Sequence, residues 1–333
     1  VDSIAPKLNP LLTDKELGSR TVRTLTALAP DDLTGELLKA LDNAATTESR
    51  AGMLYSLADL APAEGVEKIS KYADDSDVDV KEAALDALAA IGNAESRDVL
   101  KAAAEQSTTF YEQLGASRYL NYAKSLAAKG KADLAAEVIN DVLKMDHTTA
   151  TVHLKGLALT TLTDIQGDKA LDTLFRHVLD DEEDVRAMAL DNINRTEGAR
   201  VTTLLVQALE KSPDQEVTLA ILLALGDRGD AGALPELTKL FASDDTEVAA
   251  HAIAAAGEID REGALPALIE ALQKEQDKAV NDAIVAELRR VKSELLLPAV
   301  ADAIASADTA GKVALIELLG ERRRRPVRVQ AAG

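Results

Sequence analysis

The chain repeats itself every 31 or 32 residues, and this period constrains the fold more than any other feature of the sequence. The repeat is marked by a valine that opens each copy of a related segment. Four of these valines are spaced 32, 31 and 32 residues apart, and an earlier copy adds a fifth: Val185, Val217, Val248, Val280 and Val80. A period of this length is typical of arrays in which each unit packs only against its neighbours.

Within each copy, apolar residues follow the valine at positions +4, +5 and +8. After Val217 these are Ile221, Leu222 and Leu225. Residues at this spacing share one face of an α-helix, so the pattern predicts a first helix in each repeat. Position +3 is mostly small, which favours close helix packing, and its occupants in the five copies are Ala83, Met188, Ala220, His251 and Ala283.

A second helix is predicted after each first one. Leucines recur at +17 and +20, as in Leu234 and Leu237. Glycines near the end of the first helices are predicted C-terminal caps, and prolines are predicted in the first turn of the second helices, where a missing N–H is tolerated. These residues are Gly226, Gly257 and Gly320, with Gly92 in the early copy, and Pro235, Pro266 and Pro298.

Short acidic runs precede the first helices and explain much of the formal net charge of −20. Examples end at Asp77, Asp245 and Asp308, and Asp180 and Asp181 form another. Carboxylates there accept hydrogen bonds from unpaired backbone N–H groups and favour the helix dipole. The alternative interpretation is a surface for cations or a basic partner.

These motifs resemble HEAT repeats, and most closely the short bacterial type also called phycobilisome-lyase-like. The resemblance is strongest at 77–106 and 181–304 and weaker at 14–75. It implies an all-α fold, an α-solenoid of antiparallel helix pairs, in which first helices lie outside and second helices line a concave side. It also implies a binding scaffold, without indicating the partner.

One segment breaks the period, because Val80 and Val152 are 72 residues apart. Residues 110–146 resemble a tetratricopeptide unit, with Tyr119, Ala123, Gly130 and Ala135 at that family's positions. We predict a first helix of sixteen or more residues and a second from about Ala132 to Lys144. The sequence thus predicts one continuous solenoid with a change in curvature, formed by arcs at 1–109 and 147–333 and this longer pair between them.

Composition excludes several classes of function. Cysteine is absent, which excludes disulfides and thiolate chemistry. The four histidines form no pattern that binds a metal, so no metal, cofactor or catalytic residue is predicted, and His251 is interpreted as half-buried and hydrogen-bonded. Acidity argues against nucleic acid and anionic membrane partners, and the absence of long apolar runs argues against membrane insertion.

Candidate partner-binding residues come from two clusters. Aromatics make up only 2% of the chain, yet Phe110, Tyr111, Tyr119 and Tyr122 lie within thirteen residues. They are interpreted either as extra core or as a partner pocket, since tyrosine is favoured at interfaces. The run Arg322, Arg323, Arg324 and Arg325 is interpreted as a solvated segment or as a site for phosphate or an acidic partner.

The predicted function is non-catalytic: a scaffold that binds a protein or peptide through its concave surface. The alternative is a segment of a longer secreted or envelope protein that positions a catalytic domain outside this sequence. Residues 4–12 resemble a second helix without its first, and a first helix at 310–320 is followed by a fragment, so we expect a longer protein. The start at Val1 and the lack of cysteine favour an extracytoplasmic location.

Overall fold

The computed structural model describes residues 3–106, 114–146, 151–212, 215–274 and 277–324, with side chains up to residue 320. All regular structure in these residues is helical, and none of them forms a strand. The chain divides into two compact units, Val1–Gly167 and Asp168–Gly333. The predicted divisions at 110 and 147 stay a prediction.

The first unit consists of helices in antiparallel pairs. First helices pack against first helices, as α2 does against α4, α4 against α6 and α6 against α8. Short 3-10 turns extend or precede several second helices, as at Ala94–Ser96. The α-helices of this unit are α1 (Ala5–Leu8), α2 (Gly18–Leu28), α3 (Leu33–Ala40), α4 (Thr47–Leu60), α5 (Val66–Ser70), α6 (Val78–Ile91), α7 (Arg97–Glu105), α8 (Leu114–Ala128), α9 (Ala132–Lys144) and α10 (Val152–Gln166).

The second unit repeats this arrangement. Its longest helix, α16, contains both helices of one repeat, separated by Asp260, whose backbone is extended (φ −156°, ψ 90°). The Asp260 carboxylate accepts a hydrogen bond from Gly263 N–H at 2.9 Å, which caps the second part. The α-helices of this unit are α11 (Leu171–His177), α12 (Glu183–Arg195), α13 (Ala199–Glu210), α14 (Gln215–Arg228), α15 (Leu234–Lys239), α16 (Thr246–Leu272), α17 (Lys278–Arg290), α18 (Ser293–Ser306) and α19 (Thr309–Arg324).

The first helices begin and pack as their sequence predicts. In α6, the Asp77 carboxylate accepts hydrogen bonds from the N–H groups of Asp79 and Val80, and Val80 and Leu88 are fully buried. Burial of such a side chain stabilises the fold by about 1.5–3 kcal/mol. Predicted caps at Asp245 and Asp308 also accept backbone N–H groups. At α12, by contrast, no side chain caps the helix.

The prediction that glycines cap the first helices is right for Gly92 and wrong for Gly226 and Gly257. Gly92 follows α6 in the left-handed conformation (φ 59°). Gly226 and Gly257 lie inside α14 and α16, buried, where an added Cβ would meet Glu258 or Glu287 from the next first helix. Their role is therefore to leave room for a neighbouring side chain. The predicted cap Gly320 also lies inside a helix, α19.

The proline prediction is right for Pro235, which stands at the start of α15. It is wrong for Pro266 and Pro298, which lie inside α16 and α18. A separate 3-10 turn, Ala231–Ala233, precedes α15, whereas the other two second helices begin earlier as regular α-helix. Each of these prolines therefore falls in the second turn.

The irregular segment agrees with part of its prediction. Helix α9 spans Ala132–Lys144 as expected, and Gly130 ends the preceding helix with a φ of 76°. The described part of α8 is 15 residues long and begins at Leu114. Residues 107–113 lie outside the described residues, so the predicted length of at least sixteen and the change in curvature stay predictions.

Candidate partner-binding surfaces

Tyr119 and Tyr122 belong to the core of the first unit. Both side chains are fully buried, and their rings stack with centroids 6.0 Å apart. The Tyr119 hydroxyl donates to Asp141 at 3.1 Å, and the Tyr122 hydroxyl donates to the carbonyl of Asn93 at 2.7 Å. A partner could touch these rings only if the unit opened, so we do not include them in the surfaces below.

The other predicted site residues cannot be located in the same detail. Phe110, Tyr111 and Arg325 lie outside the described residues. Arg322, Arg323 and Arg324 form the last turn of α19, and their backbone is helical. Their role in partner binding stays a prediction.

The second helices of the first unit are joined by ion pairs at their surface. Arg97 on α7 contacts Glu137 at 2.6 Å and Asp141 at 3.0 Å on α9, and Lys101 contacts Asp141 at 3.1 Å. One helix pair earlier, Lys68 on α5 contacts Asp42 at 2.9 Å. This surface is therefore polar and largely self-neutralised.

Asp141 is the centre of this network, with its side chain only 13% exposed. Burial acts to raise the pKa of Asp141, but hydrogen bonds from Arg97, Lys101 and Tyr119 outweigh it and hold the pKa below its ordinary value. Burial also raises the pKa of the Tyr119 hydroxyl, which therefore remains a donor at neutral pH. The network fixes α7, α8 and α9 relative to one another.

The second helices of the second unit form a shallow cavity of about 190 Å³. Ala242, Ala267 and Ala271 leave this space because they carry only a methyl group. Glu270 and Lys274 lie at its edge, paired at 3.0 Å. A side chain of a partner could enter the cavity, with charged groups on one side of it.

A larger cavity of about 310 Å³ lies on the first helices of the first unit. Tyr55 of α4, 44% exposed, and Leu114 of α8, 56% exposed, supply its apolar parts. Arg118 of α8 is almost buried and contacts Glu82 and Asp86 of α6 at 2.5 Å each. The remaining lining residues are Asp79, Ser117 and Asn121.

Within the described residues, no group of three or more histidine, cysteine, aspartate or glutamate side chains could hold a metal ion. The prediction that His251 is half-buried is wrong, because the side chain is exposed, although its Nδ1 does lie 2.9 Å from the carbonyl of Glu247. His177 contacts Asp180 at 2.9 Å. In the same described part of the chain, none of the helices has the length and apolar character needed to cross a bilayer.

Helix pairs with this period and packing define an α-helical repeat protein of the solenoid class. The family model for HEAT repeats matches residues 34–121, 202–289 and 234–320, together more than half of the chain. The chain therefore belongs to the HEAT-repeat family, whose members are generally protein-interaction scaffolds and typically not catalytic.

Solved structures show similar repeats at low identity. An engineered protein is 19% identical, with 96% of this chain and 98% of that chain covered and a TM-score of 0.35. YibA of Escherichia coli is 18% identical, with 78% and 95% covered and a TM-score of 0.35. None of the curated proteins compared with the chain matches it.

Proposed function

We propose that this protein is a non-catalytic scaffold that binds a protein or peptide partner through the concave surface lined by its second helices. The cavity between α15 and the second part of α16 is the observation that supports it best. A cavity of about 190 Å³ accepts one side chain, and its floor is the buried ring of Phe241. Apolar anchors in such cavities dominate many protein interfaces.

The surface around this cavity suits a partner with both apolar and charged side chains. Glu236 and Lys239 pair at 2.6 Å on α15, and Glu270 and Lys274 pair on α16. Lys239 and Lys274 are more than half exposed, so these pairs contribute little to folding and can exchange partners at low cost. In the first unit the ion pairs of α7 and α9 offer the same kind of exchange at Glu137, whose side chain is 60% exposed.

Photocrosslinking tests which face binds. A photoreactive amino acid is placed at Ala102 or Gln207, exposed on second helices, and at the matched first-helix positions Lys124 or Asp227. The proposal expects one partner to crosslink from the second-helix positions and not from the first-helix positions. Crosslinks that arise only from Lys124 or Asp227 would contradict it.

The alternative function is a segment that positions a catalytic domain of a longer secreted or envelope protein. Family membership is compatible with both functions, because stacked helix pairs form a rigid spacer as well as a binding surface. The sequence of the complete gene separates them. A catalytic domain encoded in the same reading frame favours the alternative.

A further inference from the structure

The outer face of the first helices in the first unit carries an apolar and acidic cavity that neither the fold nor the proposed second-helix surface requires. It is formed by three successive first helices: α4 contributes Tyr55, α6 contributes Asp79, Glu82 and Asp86, and α8 contributes Arg118. The cavity measures about 310 Å³. It is therefore large enough for a whole side chain.

The acidic residues of α6 are not needed to build a repeat. Glu82 and Asp86 occupy positions +2 and +6 after Val80, and Asp79 directly precedes it. In α14 the +2 and +6 positions are Leu219 and Leu223, and in α16 they are Ala250 and Ala254. Like charges four residues apart on a helix repel each other, so carboxylates at both positions are unfavourable without a cation.

Arg118 satisfies only part of this charge. Its guanidinium binds one oxygen of Glu82 and one of Asp86, and no ion-pair partner of Asp79 occurs in the described residues. Three carboxylates facing one guanidinium leave a net charge of about −2 at neutral pH. The cavity is thus complementary to one or two further positive charges.

Tyr55 gives the cavity a second element of recognition. Its ring is 44% exposed, and its hydroxyl makes no hydrogen bond within the described part of the chain. Burial, followed by the nearby Asp86, Asp79 and Glu82, raises the pKa of Tyr55, which places the ring in the field of these carboxylates. A guanidinium group stacks on an aromatic face and binds carboxylates through paired N–H groups, which a compact ammonium does less well.

We propose that this first-helix cavity is a second docking site, which accepts an arginine side chain from a basic segment of a protein partner. The guanidinium stacks on Tyr55 and donates hydrogen bonds to Asp79 and to the free oxygens of Glu82 and Asp86. Leu114 covers the methylene stem. This site is independent of the second-helix surface, so either proposal can fail without the other.

The test uses a fluorescein-labelled eight-residue glycine–serine peptide that carries two arginines, measured by fluorescence anisotropy. Matched peptides carry two lysines or two neutral citrullines. We expect the arginine peptide to bind at least threefold more tightly than the lysine peptide and to lose most of its affinity when citrulline replaces arginine. Equal affinity for the arginine and lysine peptides would overturn the proposal.

Protein variants separate the cavity from the general acidity of the chain. Asp79→Asn and Tyr55→Leu should each weaken the arginine peptide at least threefold, the second without any change of charge. The control is Asp282→Asn, which removes the same charge from the equivalent first-helix face of α17, where Asp282 is 68% exposed. If Asp282→Asn weakens binding as much as Asp79→Asn, the peptide responds to net charge and the proposal is wrong.

Discussion

Gly257 packs against a buried glutamate, and replacing it tests how closely successive first helices fit. In Gly257→Ala the new Cβ would lie 2.6 Å from Cδ and 2.9 Å from Cγ of Glu287. Glu287 cannot simply turn away, because its side chain is 6% exposed and accepts hydrogen bonds from Arg261 at 2.8 Å and Arg290 at 2.7 Å. The alanine therefore forces the two helices apart or breaks these ion pairs.

The magnitude follows from two opposing effects. Alanine in place of glycine inside a helix stabilises it by about 1 kcal/mol. Overpacking a well-filled site costs about 1–3 kcal/mol, and a buried carboxylate that loses a charged partner adds about 1–3 kcal/mol. We expect Gly257→Ala to lower the free energy of unfolding by about 2 kcal/mol.

The assay is urea unfolding followed by circular dichroism, with Gly35→Ala as the matched control. Gly35 lies inside α3 with no atom near its missing Cβ, so this variant should be more stable by about 0.5–1 kcal/mol. The double variant Gly257→Ala with Glu287→Ala should show coupling of about 1 kcal/mol or more, because the obstruction is gone. If Gly257→Ala stabilises the protein as Gly35→Ala does, the packing argument is refuted.

Three further predictions concern charge and hydrogen bonding. Asp141→Asn should destabilise the first unit by about 2 kcal/mol at pH 7, measured by urea unfolding; because the folded-state pKa of Asp141 is lowered, its contribution exists above the unfolded value and is lost as the pH falls through the folded value, so the variant should lose less stability than the parent between pH 7 and pH 3. His251→Ala should be neutral or slightly stabilising in thermal melts, since the exposed side chain is replaced by a better helix former; a loss above about 2 kcal/mol would contradict this. Duplex DNA should not bind at 0.15 M salt, because a net charge of −20 repels phosphate, and micromolar binding by anisotropy would refute this.

The sequence predicts best what depends on one helix and worst what depends on a neighbouring repeat. Val217 and Leu225 mark a buried face through spacing alone, and both are buried. The role of Gly226 could not be predicted, because it is set by Glu258 on the next first helix. For the same reason the caps Ala29 and Ala61, which adopt positive φ where glycine is usual, have no signal in the sequence.

The candidate sites show the same limit. Tyr119 and Tyr122 were predicted with two interpretations, since clustering of aromatics does not indicate whether they face the core. The first-helix cavity was missed because three helices form it. A signal did exist: Tyr55 occupies the +6 position of α4, one repeat before Asp86, and an aromatic ring at that exposed position has no role in helix packing.

The break at Asp260 has a consequence for the order in which the second unit folds. Only one residue separates the two helical parts of α16, so bringing them together closes a very short loop and loses little chain entropy. Other helix pairs of this unit need several residues to reverse direction, as between α14 and α15. We therefore expect the α16 hairpin to form early and to act as a nucleus, with its neighbours added on either side. Substitutions of its buried residues, such as Ile253→Val, should then slow folding more than they speed unfolding.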